Sequence, residues 1–150
     1  MSKSRLSSGS AWLLLAGCLW ACGSDSRPAR NLVFISLDTT RRDHLTSYGY
    51  PRATAPAVDR LARRSAVFDN LYAQSTHTSP SHATMFTGVY PQLHGVRFNG
   101  DRLDRSRATL AEILSQDGFR TAAFVSGYTL RSDASDLNRG FEVYDSHFDG

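Results

Sequence analysis

Residues 107–125, RATLAEILSQDGFRTAAFV, carry the pattern that sets the fold class. Leu110, Ile113 and Leu114 recur at helical spacing within residues 107–117. Gly118 supplies a residue that can turn left-handed and stop the helix, and residues 119–125 return as an apolar run suited to a strand. Helix, glycine, strand is the second half of a β-α-β unit, in which the crossover helix makes the two strands parallel. The expectation is an α/β fold, a mainly parallel sheet flanked by helices. The chain shows no internal repeat.

Upstream, residues 31–37 (NLVFISL) form a continuous apolar stretch of β-branched and aromatic residues that stops at Asp38, Thr39 and Thr40. An unbroken apolar run of that length reads as a strand buried on both faces, as in parallel sheets covered by helices. Residues 54–66 place Val58, Leu61, Ala62 and Ser65 on one helical face, with Thr54 as the N-cap and Pro56 in the first turn. Arg60, Arg63 and Arg64 fall on the opposite, solvated face. Residues 67–72 read as a short strand and residues 79–87 as a short helix. The segment 126–150 offers a weak apolar cluster at Phe141, Val143 and Tyr144 and then stops without a cap, so residues 31–150 read as the N-terminal part of a longer domain.

The composition excludes several classes. With 150 residues, 41% hydrophobic and 21% charged, the chain is neither disordered nor collagenous. Its 17 basic and 14 acidic residues give a net charge of +3. Lys3 and Arg5 lie in a segment read as removable, which leaves 15 basic against 14 acidic and argues against a nucleic-acid partner held by bulk charge. The two cysteines are Cys18 and Cys22, so the remaining chain can form no disulfide, cysteine zinc site or catalytic thiol.

Residues 1–22 combine a basic start with a short apolar run, AWLLLAGCLWAC, too short for an ordinary membrane span. Leu15, Ala16, Gly17 and Cys18 resemble a bacterial lipobox, with Cys18 the lipidated residue and Cys22 the alternative. Two acyl chains would anchor the protein stably to a membrane. The expected location is the bacterial cell envelope, on the periplasmic or extracellular face, with simple secretion as the alternative. Residues 23–30 (GSDSRPAR) read as a linker.

Two constellations carry chemistry. In open α/β sheets ligands gather beyond the carboxyl ends of the strands, where Asp38 would project as a hard oxygen ligand for a divalent metal. In residues 77–88 (HTSPSHATMFTG), Ser79 as N-cap and Pro80 at the first helical position would set Thr78 just off a helix end. The free amides there favour an anion, and a metal-activated hydroxyl can attack a sulfur or phosphorus ester. His77, His82 and His94 are the nearby candidates for proton transfer or oxyanion contact, although His77 reads as a loop histidine and His94, in L-H-G-V, as a residue that orders the loop after the short helix.

Together these segments resemble the N-terminal half of the sulfatase family in the alkaline phosphatase superfamily. The resemblance rests on NLVFISLDTTRRDHLTSYGY (31–50), TSPSHATMFTGVYP (78–91), LHGVRFNG (93–100), TLAEILSQDGFRTAAFVSG (109–127) and RGFEVYD (139–145). It implies an alkaline-phosphatase-like core and hydrolysis of sulfate or phosphate esters. It also implies a divalent metal (Ca, Mg, Mn or Zn) held by Asp38 and Thr78, with Thr78 and His82 as catalytic residues. Sulfated or phosphorylated glycans, lipids or small-molecule esters would be the substrates.

The chain departs from the family pattern at three places. Thr78 stands where sulfatases carry the Cys or Ser that is oxidised to formylglycine; a threonine would give a ketone, so an unmodified hydroxyl is the expected nucleophile. His82 replaces the signature Arg, and Thr39 replaces a second metal-binding Asp. Arg41, Asp43 and Asn99 match common family positions and read as pairing or turn residues. Two other roles remain open on this pattern: a transferase that moves a phospho-alcohol head group onto an envelope glycan, and a non-catalytic lipoprotein that binds an anion or glycan.

Overall fold

The computed structural model describes residues 31–147; the signal-like segment, Cys18, Cys22 and the linker lie outside the described residues. The chain divides into two units, Met1–Ser36 and Leu37–Gly150. In the second unit the helices are α1 (Pro56–Ala62), α2 (Thr78–Thr87), α3 (Pro91–His94), α4 (Leu110–Gln116) and α5 (Ser132–Ser135). Its strands are β1 (Ala122–Phe124) and β2 (Val143–Asp145), and short 3-10 turns occupy Arg42–His44, Thr46–Tyr48 and Tyr128–Leu130.

The decisive stretch folds as its sequence dictates. Thr109 caps α4: its hydroxyl accepts the Glu112 N–H at 3.2 Å, and the Glu112 carboxylate accepts the Thr109 N–H at 2.7 Å. This reciprocal box satisfies two amides that a helix start otherwise leaves unpaired. Gly118 ends the segment with φ +84°, and β1 follows. β1 pairs in parallel with β2, Ala122 opposite Val143 and Phe124 opposite Asp145. The parallel α/β reading holds, but α4 is not the crossover of this pair: β2 follows β1 in the chain, the connection between them contains α5, and no described strand precedes α4.

The core lies around α2. Ala83, Val96, Leu103, Leu130 and Leu137 are buried together, with Phe86 and Val125 packed against them. Phe86 meets the edge of Phe141 at 6.1 Å, and Phe141 leans on Tyr144 at 5.6 Å, so the aromatics beside β2 extend the core from the helix toward the sheet.

Several local expectations are corrected. Residues 31–37 form no strand, and Val33 and Ile35 are 79% and 73% exposed. A strand buried on both faces needs a ladder neighbour and two covering layers, and among the described residues the strand pairing is that of β1 with β2. Residues 67–72 also form no strand, and Leu71 and Tyr72 are exposed for the same reason. Helix α1 is shorter than expected and is not capped by Thr54, whose hydroxyl is spent on the His44 carbonyl. Its buried residue is Asp59, not Leu61: the carboxylate accepts the Ser47 N–H at 3.1 Å and ties α1 to the preceding turn.

Candidate active site

Asp38 and Thr39 sit at the centre of a turn closed by the Thr40 N–H on the Leu37 carbonyl at 3.3 Å. Thr39 holds φ +56°, a left-handed backbone that a β-branched residue adopts only under strain. The turn presents the exposed Asp38 carboxylate to α2, and Thr78 Oγ1 donates to Asp38 Oδ2 at 3.1 Å.

Helix α2 begins earlier than the Ser-Pro signal suggested. His77 is the N-cap and Thr78 the first helical residue, because the Ser81 N–H reaches back to the His77 carbonyl at 3.2 Å. Pro80 falls at the third position, where its missing N–H costs nothing. The expected anion cradle at this helix end is consequently much reduced. The Ser79 N–H is taken by Asn99 Oδ1 at 2.9 Å, Pro80 has no N–H, and the Ser81 N–H closes the first turn. Of the three N–H groups at positions 78–81, the one at Thr78 alone has no acceptor among the described hydrogen bonds.

His82 is 5% exposed, and its Nδ1 lies 2.8 Å from the Thr78 carbonyl oxygen. A carbonyl oxygen can only accept, so Nδ1 carries the proton. The ring therefore reaches the nucleophile candidate through its backbone. His77 is exposed and meets the edge of Phe98 at 5.7 Å.

His94 is structural, as the sequence suggested. It is fully buried; its Nδ1 accepts the Val96 N–H at 3.1 Å, and its Nε2 then donates to Thr84 Oγ1 at 3.0 Å. Burial holds its pKa below the ordinary value. Arg41 and Asp43 pair with each other at 2.6 Å on the surface, where a hydrogen bond to the guanidinium holds the Asp43 pKa low. His44 stacks on Tyr50 and His147 pairs with Asp145, so neither joins the site.

Asn99 was legible only as a turn residue. It sits in a loop whose form is set by Asp101, which accepts the Arg97 and Phe98 N–H groups at 2.9 Å each and has its pKa lowered by them. That loop delivers Asn99 to the start of α2. Ser79 adds a second tie, its hydroxyl donating to the Thr129 carbonyl at 3.1 Å. No sequence spacing announces these two contacts.

The pair of Asp38 and Thr78 offers two oxygen donors side by side, the hard donor type that calcium, magnesium and manganese prefer. Such a cation takes six or more oxygen ligands. Among the described residues no cluster of three or more His, Cys, Asp or Glu is arranged to hold a metal, so the pair fits as part of a cation site and not as the whole of one.

The family model for sulfatases matches residues 30–148. The chain belongs to the sulfatase family. It is 30% identical over 116 residues to an N-acetylgalactosamine-6-O-sulfatase of Bacteroides thetaiotaomicron, covering 72% of this chain and 23% of that relative. It is 32% identical over 108 residues to arylsulfatase A of Bos taurus, covering 67% of this chain and 21% of that protein. A crystal structure of a Bacteroides thetaiotaomicron sulfatase-type protein superposes with a TM-score of 0.57 at 28% identity, over 67% of this chain and 22% of its own. The chain thus spans less than a quarter of the length of these sulfatase relatives, and it contains the stretch in which Asp38 and Thr78 meet.

Proposed function

We propose that this chain carries the nucleophile and the first metal ligand of a divalent-metal-dependent hydrolase of sulfate or phosphate esters, with Thr78 acting in place of formylglycine. The observation that carries this reading is the hydrogen bond from Thr78 Oγ1 to Asp38 Oδ2. The family supports ester hydrolysis, and the threonine departs from its oxidisable residue. A lipid anchor at Cys18, or at Cys22, would place the enzyme on the cell envelope facing outward. Sulfated or phosphorylated glycans are the favoured substrate class, since the relatives include sulfatases named for amino-sugar sulfates.

The residues divide the work as follows. Asp38 and Thr78 would hold the cation, which when bound lowers the pKa of the hydroxyl and draws charge from the ester oxygens. Thr78 Oγ1 attacks the central sulfur or phosphorus, and its proton passes to water at this exposed site. The bond to the leaving alcohol oxygen breaks, and the alcohol departs after taking a proton from solvent. Water then attacks the same central atom, releases the inorganic anion and restores the Thr78 hydroxyl. A formylglycine hydrate could instead expel sulfate by collapsing to its aldehyde. The threonine ester has no such exit and needs a second displacement at the central atom, a step that favours phosphorus over sulfur.

The test is turnover of matched aryl sulfate, phosphate monoester and phosphodiester substrates by the whole protein, compared with its Thr78→Ala variant. Phosphoester turnover above sulfate turnover, lost in the variant, is expected. Turnover that survives Thr78→Ala removes Thr78 as nucleophile, and faster sulfate turnover overturns the preference for phosphorus.

A further inference from the structure

The peptide unit between Thr78 and Ser79 is held at both of its polar ends by side chains. Its C=O accepts from His82 Nδ1 at 2.8 Å, and its N–H donates to Asn99 Oδ1 at 2.9 Å. Both contacts have fixed polarity. The carbonyl demands Nδ1–H on the imidazole, and the amide demands that Asn99 turn its oxygen inward. Amides in the first turn of a helix ordinarily have no partner within the helix. Here the amide that follows Thr78 has an acceptor brought from a separate loop, while the carbonyl of the same peptide receives a side chain from one turn further along α2. Ser79 is completely buried, and its hydroxyl bond to the Thr129 carbonyl prevents the unit from sliding out.

We propose that His82 and Asn99 are positioning residues that clamp the Thr78–Ser79 peptide plane and thereby aim the Thr78 hydroxyl. The proposal rests on Thr78 as nucleophile. The Thr78 Cα lies at one corner of this plane, so rocking the plane swings the Cβ–Oγ1 bond away from Asp38. A displacement on the order of 1 Å at a reacting atom costs roughly 100-fold in rate. His82 therefore serves the chemistry through the backbone of Thr78, from a ring that is almost wholly buried.

The clamp is tested in the whole protein by kinetics and by nitrogen NMR. His82→Leu removes the donor and is expected to lower kcat by about 10-fold to 100-fold with KM changed by less than about 2-fold, the split of an orienting residue. His82→Asn sets an amide N–H near the place of Nδ1 and is expected to recover most of the loss. Asn99→Ala should behave like His82→Leu, and the double variant should lose less than the product of the two, because a plane released at one end has little left to lose at the other. An asparagine as damaging as leucine, a loss confined to KM, or fully multiplicative losses would each overturn the clamp.

The ¹⁵N signals of His82 in the unsubstituted protein decide the point without depending on the folding of any variant. A protonated Nδ1 is expected, and an unprotonated Nδ1 sinks the proposal. Thr78→Ala run in parallel separates the two readings. Turnover that survives it removes the nucleophile, whereas the imidazole signals report on the clamp alone.

Discussion

Thr78 Oγ1 donates to Asp38 Oδ2 at 3.1 Å across a separation of 40 residues in sequence. One partner comes from a strained turn and the other from the first position of a helix, so the contact is a product of tertiary folding. If Asp38 supplies an anionic oxygen to the cation, Asp38→Asn keeps its size but removes the charge that binds a divalent ion. The variant is expected to bind calcium, magnesium, manganese or zinc at least about tenfold more weakly in calorimetric titration, with ester turnover falling alongside. Unchanged cation affinity would remove Asp38 from the metal site.

Thr78 bears a methyl group on its β-carbon, so it cannot be oxidised to the aldehyde that formylglycine requires. The tryptic peptide spanning residues 65–97, cut after Arg64 and Arg97, is expected to show the mass of unmodified threonine in the protein purified from its native host. A loss of two hydrogens that fragmentation places on Thr78 would indicate a ketone and end the hydroxyl mechanism.

Thr39 adopts φ +56° although its β-carbon is branched. A left-handed backbone costs such a residue roughly 1–2 kcal/mol, and asparagine tolerates it far better. Thr39→Asn should therefore stabilise the fold by about 1 kcal/mol in urea unfolding, while Thr39→Val should give no gain. An asparagine that leaves the midpoint unmoved would show that the turn is not under strain.

Local order was legible in sequence where one segment contained the whole instruction. Leu110, Ile113, Leu114 and Gly118 specify a terminated helix and the strand after it without outside help, whereas the parallel partner of that strand comes from later in the chain, beyond α5, and no spacing in the segment names it. Residues 31–37 show the opposite case. Their apolar pattern describes a strand whose ladder and cover must come from elsewhere, and the described residues do not provide them. The site divides in the same way. The residue types at Asp38, Thr78 and His82 could be read from sequence and family resemblance. The Asn99 acceptor depends on how a distant loop settles, and the His82 contact with the Thr78 carbonyl needs, beyond the i, i+4 spacing on α2, one particular side-chain rotamer.

His94 predicts a pH dependence that the surface carboxylates cannot mimic. Burial lowers its folded-state pKa below the ordinary 6.5, so the unfolded chain takes up a proton that the folded chain refuses. Its contribution to stability is complete above about pH 7, and it is lost as pH falls through 6.5 toward the depressed folded value. The slope is at most about 1.4 kcal/mol per pH unit. The lowered pKa values of Asp43, Asp101, Asp104 and Asp145 act in a more acidic window, as pH falls below their ordinary 3.8. Chemical unfolding followed between pH 8 and pH 5 should thus show a decline that His94→Asn removes. A decline that persists in the variant would assign it to another group.

Gly140 holds the approach of the segment before β2 to helix α4. Its φ of +84° already disfavours any side chain, and a β-carbon built there would lie 2.1 Å from the Glu112 backbone nitrogen and 2.5 Å from the Ala111 carbonyl carbon. The obstacle is helix backbone, which cannot rotate aside as a side chain could. That same Glu112 nitrogen donates to Thr109 in the capping box, so relieving the clash must disturb the cap as well. The Thr109 hydroxyl also donates to the Arg139 carbonyl, one residue before the glycine, which couples the two segments further. Gly140→Ala is expected to cost about 3 kcal/mol or more from strain and overpacking together, enough to lower the urea midpoint sharply. Gly88→Ala, also at positive φ but with nothing within 4 Å of its β-carbon, is the control and should cost only the backbone part, about 1–2 kcal/mol. Equal losses in the two variants would show that the α4 contact at Gly140 is not tight.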